Sequence, residues 1–397
     1  MTSGDTIFVS AGEFSGDLLA AELVTELRTN FPGVNFAGVC GPALRNAGVE
    51  QLADQSTLSV MGIAEVLPRI SDLKIFESDL LESIDRCKPK FAILVDSPGF
   101  HFRLAEHLKM RGIPVVQYVA PKLWAWGKGR MKRLKRDFDL VIGILPFEEK
   151  FFKDGRIPYQ LSGSPHLDRV EKIRVSRDII GIAAEDKVLG ILPGSRISEL
   201  SSLLGDIVTI FGKLSTEING LVGVLPLAPN LSSDDLKKLC RKLGIKFEAS
   251  NASAENPEIG TIGGGIRVFR GMSLELMAMS DAALVASGTA TFECGLLGVP
   301  MAVIYRMNVL TYMIAKRVVD LPYVSLVNLM ANELVSKEYI QSFSCNDVAL
   351  ELKELLLENK GVVQRTKLSN LKRSLKGNAA VRAASIIEKW WEQKNPA

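Results

Sequence analysis

The feature that most constrains the fold is a series of short runs with almost no polar side. TIFVSA (6–11), VNFAGV (34–39), KFAILVD (90–96), PVVQYVA (114–120) and DLVIGIL (139–145) form one set. KVLGILPGS (187–195), GLVGVLPLA (220–228), IRVF (266–269), AALVAS (282–287) and MAVIY (301–305) form another. A strand without a polar face must be covered on both sides, which is the condition of parallel strands between helices. Helical patterns fall between the runs, near 15–29, 101–111, 197–214, 233–243, 272–280 and from 288. Alternation of this kind predicts an α/β fold of doubly wound, Rossmann-like sheets. It is interrupted once, by the charged stretch HLDRVEKIRVSRD. With 397 residues, more than one ordinary core holds, the chain divides into a domain of residues 1–170 and one of residues 171–374. A last helix, about 375–397, is expected to pack back on the first domain.

Two doubly wound domains facing each other would leave a cleft at the C-terminal ends of their strands, where ligands of such sheets bind. Composition narrows the class little. A net charge of +3 does not point to a partner, whereas five widely spaced cysteines without CxxC spacing speak for a reducing compartment. The N-terminal stretch has Asp5 where an export signal carries basic residues. No uncharged apolar stretch reaches the ~20 residues of a membrane span.

Two loops in the second half suit an anion. LPGSR (192–196) follows a strand and opens a helix, so backbone N–H groups at Gly194 and Ser195 can face a phosphate and Arg196 can add a charge-assisted contact. ASGTATFE (286–293) repeats the design with Ser287, Gly288 and Thr289, and Glu293 can accept from ribose hydroxyls. The plain alternatives are an ordinary strand–helix turn with a surface Arg, and a hydroxyl that merely caps a helix. GGG at 263–265 reads as a turn, and the absence of GxxxxGKS excludes a P-loop NTPase.

The first half carries carboxylates instead. AGEFSGD (11–17) has the place of a phosphate loop but holds Glu13 and Asp17 beside Ser15, which suits sugar hydroxyls or proton abstraction. Asp17 also fits a plainer role, an acid in the first turn of a helix. VDSPGF (95–100) ends a strand on Asp96, where partial desolvation would raise a carboxyl toward a useful base; a structural Asp holding loop N–H groups is the alternative. APKLWAWGKGRMKRLKR (120–136) joins Trp124 and Trp126 to seven cations, among them Lys128, Arg130, Lys132 and Arg133. That mixture suits an anionic membrane surface or a phosphorylated lipid headgroup. A solvated basic helix with Trp packed inward is the other reading, and nucleic acid ranks last.

Together these stretches resemble bacterial lipid-A-disaccharide synthases, which are inverting GT-B glycosyltransferases. The resemblance runs through AGEFSGD, MGIAEVL (61–67), VDSPGF, YVAPKLWAW (118–126), ILPFE (144–148), LPGSR with Glu199, ASGTATFECGLLGVPMAVIYRMN (286–308), LTYMIAKR and PYVSLVN. It implies transfer from UDP-2,3-diacylglucosamine to 2,3-diacylglucosamine 1-phosphate, with no metal and no cofactor. It also implies a cytoplasmic enzyme peripherally attached to the inner face of the inner membrane; a homodimer is compatible with it. Two departures touch the base: the family's second Asp in DxPDF is Gly99 here, and its GHP is Gly163-Ser164-Pro165, with a His only at 166. Asp96, Glu13 and Asp17 therefore stand as candidates in that order. Competing readings are a divergent transferase with another lipid acceptor, a sugar-nucleotide epimerase, and a silent binding protein.

Overall fold

In the computed structural model, residues 1–59, 70–125, 128–250, 257–307, 312–313 and 321–396 are described. They form two compact units, Met1–Pro165 with Lys376–Ala397, and His166–Leu375. The motif MGIAEVL, Trp126, the side chain of Lys128 and most of LTYMIAKR lie outside the described residues.

The first unit is built on β1 (Thr6–Ala11), β2 (Asn35–Cys40), β3 (Glu50–Asp54), β4 (Phe91–Val95), β5 (Val115–Tyr118), β6 (Leu140–Gly143) and β7 (Tyr159–Leu161). All pairings are parallel, in the order β3-β2-β1-β4-β5-β6-β7. Ile7, Phe8, Val9 and every residue of β4 are fully buried, as strands covered on both faces require. The Phe14–Asn30 helix turns Leu19, Leu23, Val24 and Leu27 inward at helical spacing. The Ala379–Lys394 helix belongs to this unit although it ends the chain. It sets Trp390 and Trp391 against Phe91, at ring separations of 5.6 and 5.0 Å.

The second unit contains β8 (Lys187–Leu192), β9 (Leu221–Leu227), β10 (Phe247–Ala249), β11 (Glu258–Ile262), β12 (Ile266–Arg270), β13 (Ala282–Ala286), β14 (Met301–Tyr305) and β15 (Glu338–Ile340). Their order is β10-β11-β12-β9-β8-β13-β14-β15. β10, β11 and β12 pair antiparallel at one edge, and the remaining pairings are parallel. Gly263–Gly265 is the β11–β12 hairpin turn, all three residues at positive φ.

Each sheet has one place where strand order reverses, between β1 and β4 and between β8 and β13. Connections leave such a point to opposite faces, so the turns beyond the strand ends are left open to a ligand. The four glycine-bearing or acidic loops of the sequence, AGEFSGD, DSPGF, PGSR and SGT, are the four turns at these two points.

Candidate functional site

In the second unit the turns after β8 and β13 line a cavity of about 360 Å³, closed at one side by Leu227–Pro229 after β9 and by Gly271 and Ser273 after β12. Gly194 has φ +101°, and a Cβ there would stand 2.2 Å from the Glu199 carboxylate, so the turn requires glycine. Glu199 accepts the Arg196 N–H at 3.3 Å, which ties the turn to the Ile197–Glu217 helix. Asn230 braces it from the other side by donating to the Ser195 carbonyl at 3.0 Å. The Arg196 side chain is 72% exposed and 3.8 Å from Glu199 at nearest, free to turn to an anion.

The Thr289–Leu296 helix starts at Gly288 with no side chain capping its first N–H groups. Ser287 instead donates to the Val324 carbonyl at 3.2 Å, and the Thr289 hydroxyl is exposed without a partner among the described residues. The capping alternative for these hydroxyls is therefore absent, and the helix start is open to an acceptor from outside. Glu293 borders the same cavity one turn on. His166 Nδ1 lies 2.9 Å from Glu293 Oε1; a carboxylate only accepts, so Nδ1 carries the proton.

In the first unit, Asp96 and Ser97 both sit at positive φ, +53° and +44°, directly after β4. Two consecutive non-glycine residues in that region store strain that the surroundings must hold. His101 Nδ1–H donates to the Asp96 carbonyl at 2.8 Å, and Gln117 Nε2 donates to it at 3.2 Å. Burial drives His101 down to about 4, so the ring is neutral and its Nε2 accepts the Ser10 hydroxyl at 3.0 Å. Gly12 allows the β1 and β4 turns to touch: a Cβ there would fall 2.3 Å from Ser97 Oγ. The Asp96 carboxyl is raised by burial, opposed by Lys122 and by the Ser97 N–H. Gly99 faces open space on the next helix turn, so no second acid stands beside Asp96 there.

Glu13 is exposed, with no hydrogen bond from its side chain among the described residues, and Ser15 is exposed beside it. Asp17 differs from the expectation. It is fully buried, and its oxygens accept the N–H groups of Gly41 at 2.9 Å, Ala43 at 2.7 Å and Leu44 at 3.3 Å. It stands in the first turn of its own helix, as the plainer reading has it, and it also fastens the turn after β2, which occupies the carboxylate that was a candidate base.

In the basic segment Trp124 follows the second reading and does not face a membrane surface. Trp124 packs inward against Phe147, with ring centroids 4.8 Å apart, and donates Nε1–H to Glu148 Oε1 at 2.8 Å. Arg133 is tied to Glu106 at 3.0 Å and to the Phe102 carbonyl at 3.2 Å. Lys122, Arg130, Lys132 and Lys135 remain exposed and make no ion pair among the described residues.

Glu148 is 1% exposed and burial pushes its carboxyl up to about 8, against the Trp124 N–H and Lys122. A group with a raised folded pKa contributes stability below its unfolded pKa, and that stability is lost as pH rises through the folded value. Relative to Glu148→Gln, the native chain should thus lose stability between about pH 4.5 and about pH 8 and level off above. Denaturant melts of both proteins across that range measure it; parallel curves would place the Glu148 proton elsewhere.

Sequence reasoning treated His166 only as a displaced motif residue and gave His101 and Glu148 no role. Their signals were weak: single polar residues beside, rather than within, a glycine turn. Among the described residues no group of three or more His, Cys, Asp or Glu side chains is arranged to hold a metal ion.

Two Rossmann-like units, each with open turns at a strand-order switch point, give the chain GT-B architecture. The fold is shared with the S. aureus MnaA–UDP co-structure, at 15% identity and TM-score 0.67 over 98% of this chain and 97% of that one. It is also shared with CalG4, the calicheamicin glycosyltransferase, at 14% identity and TM-score 0.58 over the whole of both. The chain belongs to the Lipid-A-disaccharide synthetase family, whose model matches residues 7–389. The lipid-A-disaccharide synthase of Myxococcus xanthus (strain DK1622) is 40% identical over 344 residues, 86% of this chain and 85% of that protein.

Proposed function

We propose that this chain transfers the diacylglucosaminyl group of UDP-2,3-diacylglucosamine to the 6-hydroxyl of 2,3-diacylglucosamine 1-phosphate. The products are the β-1,6-linked disaccharide 1-phosphate and UDP. Membership of the family over nearly the whole chain carries the substrates. The cavity after β8 and β13 carries the assignment of the donor. Its open helix start at Gly288, the Gly194–Ser195 turn and Arg196 offer N–H groups and a cation where the departing diphosphate gains charge. The acceptor's primary hydroxyl needs a base as it attacks the anomeric carbon from the face opposite UDP. Asp96 suits that role: a carboxyl of raised pKa, held on a braced turn. Mass spectrometry of the products formed from the two acyl sugars tests the reading.

A lipid acceptor also calls for contact with a membrane surface. No helix among the described residues is long and apolar enough to cross one. Lys122, Arg130, Lys132 and Lys135 supply charge for peripheral attachment, each contributing about 1 kcal/mol near an anionic surface. With Trp124 turned inward, attachment by this segment should be mainly electrostatic. Sedimentation with anionic vesicles should release most of the protein when salt is raised from 0.05 to about 0.5 M, where screening shortens to a few ångströms. Retention at high salt would assign attachment to another surface.

A further inference from the structure

The His166–Glu293 pair is explained by neither unit's core. Both side chains are mostly enclosed, at 14% and 16% exposure, and among the described residues only Oε1 of Glu293 is engaged. Glu293 borders the cavity beside Ser287, Gly288 and Thr289, so its second oxygen is an acidic acceptor on that side of the site, with Glu199 at the other turn. His166 is itself fixed. It lies in the first turn of the Pro165–Lys172 helix, and its ring stands edge-on to the buried Phe292 at 5.7 Å.

A glutamate on its own has three rotatable bonds, and a ligand that needs it in one rotamer must order it on binding. A donor already seated on Oε1 removes that cost before the ligand arrives. Two vicinal hydroxyls are the part of a nucleoside diphosphate that such an oxygen recognises, since they only need an acceptor and carry no charge to repel it. We propose that His166 is a positioning residue for the nucleotide ribose, holding Glu293 so that its free oxygen accepts from the ribose hydroxyls. This rests on the cavity being the UDP site, and it assigns to residue 166 a role in nucleotide selection.

The full chain, titrated calorimetrically with UDP and with 2′,3′-dideoxy-UDP, tests it. His166→Ala should weaken UDP about tenfold, the size of one hydrogen bond to a charged group. It should leave 2′,3′-dideoxy-UDP within about twofold, because the contact it supports is already missing there. His166→Asn, whose amide can reach where Nδ1 stands, should restore most of the UDP affinity. Equal weakening of both ligands would make His166 a structural brace and overturn the proposal, as would no weakening of either. If His166→Ala does not fold, His166→Gln, which keeps bulk against Phe292 but moves the donor, is read by the same ratio. Arg196→Ala separates the two layers. A wild-type chain that fails to bind UDP, or binds it equally well without Arg196, overturns the site as well as the inference. UDP binding that depends on Arg196 but shows no ribose-specific loss without His166 overturns the inference alone.

Discussion

Asp96→Asn should lower the rate of disaccharide formation by about 10²–10⁴-fold, the range for loss of a general base, with UDP affinity and melting temperature nearly unchanged. Asparagine keeps the shape of the side chain and leaves the Asp96 carbonyl to His101 and Gln117, so the strained turn survives. The pH profile gives a second readout. A base works ionised, and burial raises this carboxyl; the native rate should climb with pH through that raised pKa, and the climb should vanish in the variant. Glu13→Gln should cost less, since that carboxylate is exposed and unbraced. Asp17→Asn should act on stability, because it breaks into three backbone hydrogen bonds. Native-like rates in Asp96→Asn would move the base out of this turn.

Arg196→Ala should weaken UDP and cost roughly 2–4 kcal/mol of transition-state stabilisation, the loss typical of one preorganised electrostatic contact. The side chain is exposed and at the edge of ion-pair distance from Glu199, so its removal leaves no buried group unpaired. The backbone N–H of residue 196, which Glu199 holds, is retained by alanine. Steady-state kinetics with the melting temperature as control measures the effect. A wild-type kcat/KM would take Arg196 out of the diphosphate's reach.

The central strands of both sheets were legible because burial on two faces leaves an unmistakable apolar run. β3, β7, β10, β11 and β15 were not. β3, β7, β10 and β15 are edge strands of three to five residues with at most one buried position each, and β11 pairs antiparallel beside one of them, so their pairing is decided by the neighbour rather than by their own sequence. The site was legible as turns. Glycine at positions such as 194 records a close approach of the backbone, and that constraint is local. Which way a side chain points across the fold is not local. Asp17 looks like no more than a first-turn acid until Gly41–Leu44 is brought over it, and Trp124 looks amphipathic until Glu148 is brought beneath it. His166 and Glu293, 127 residues apart, meet only because one helix start is set against another.

Purified protein incubated with UDP-2,3-diacylglucosamine and 2,3-diacylglucosamine 1-phosphate should yield, by mass spectrometry, the tetra-acyl disaccharide 1-phosphate and one equivalent of UDP. Omission of the acceptor should leave the donor intact. Recovery of both sugars unchanged under conditions where UDP binds would contradict glycosyl transfer by this chain, as would an isomer of the UDP-sugar appearing without disaccharide.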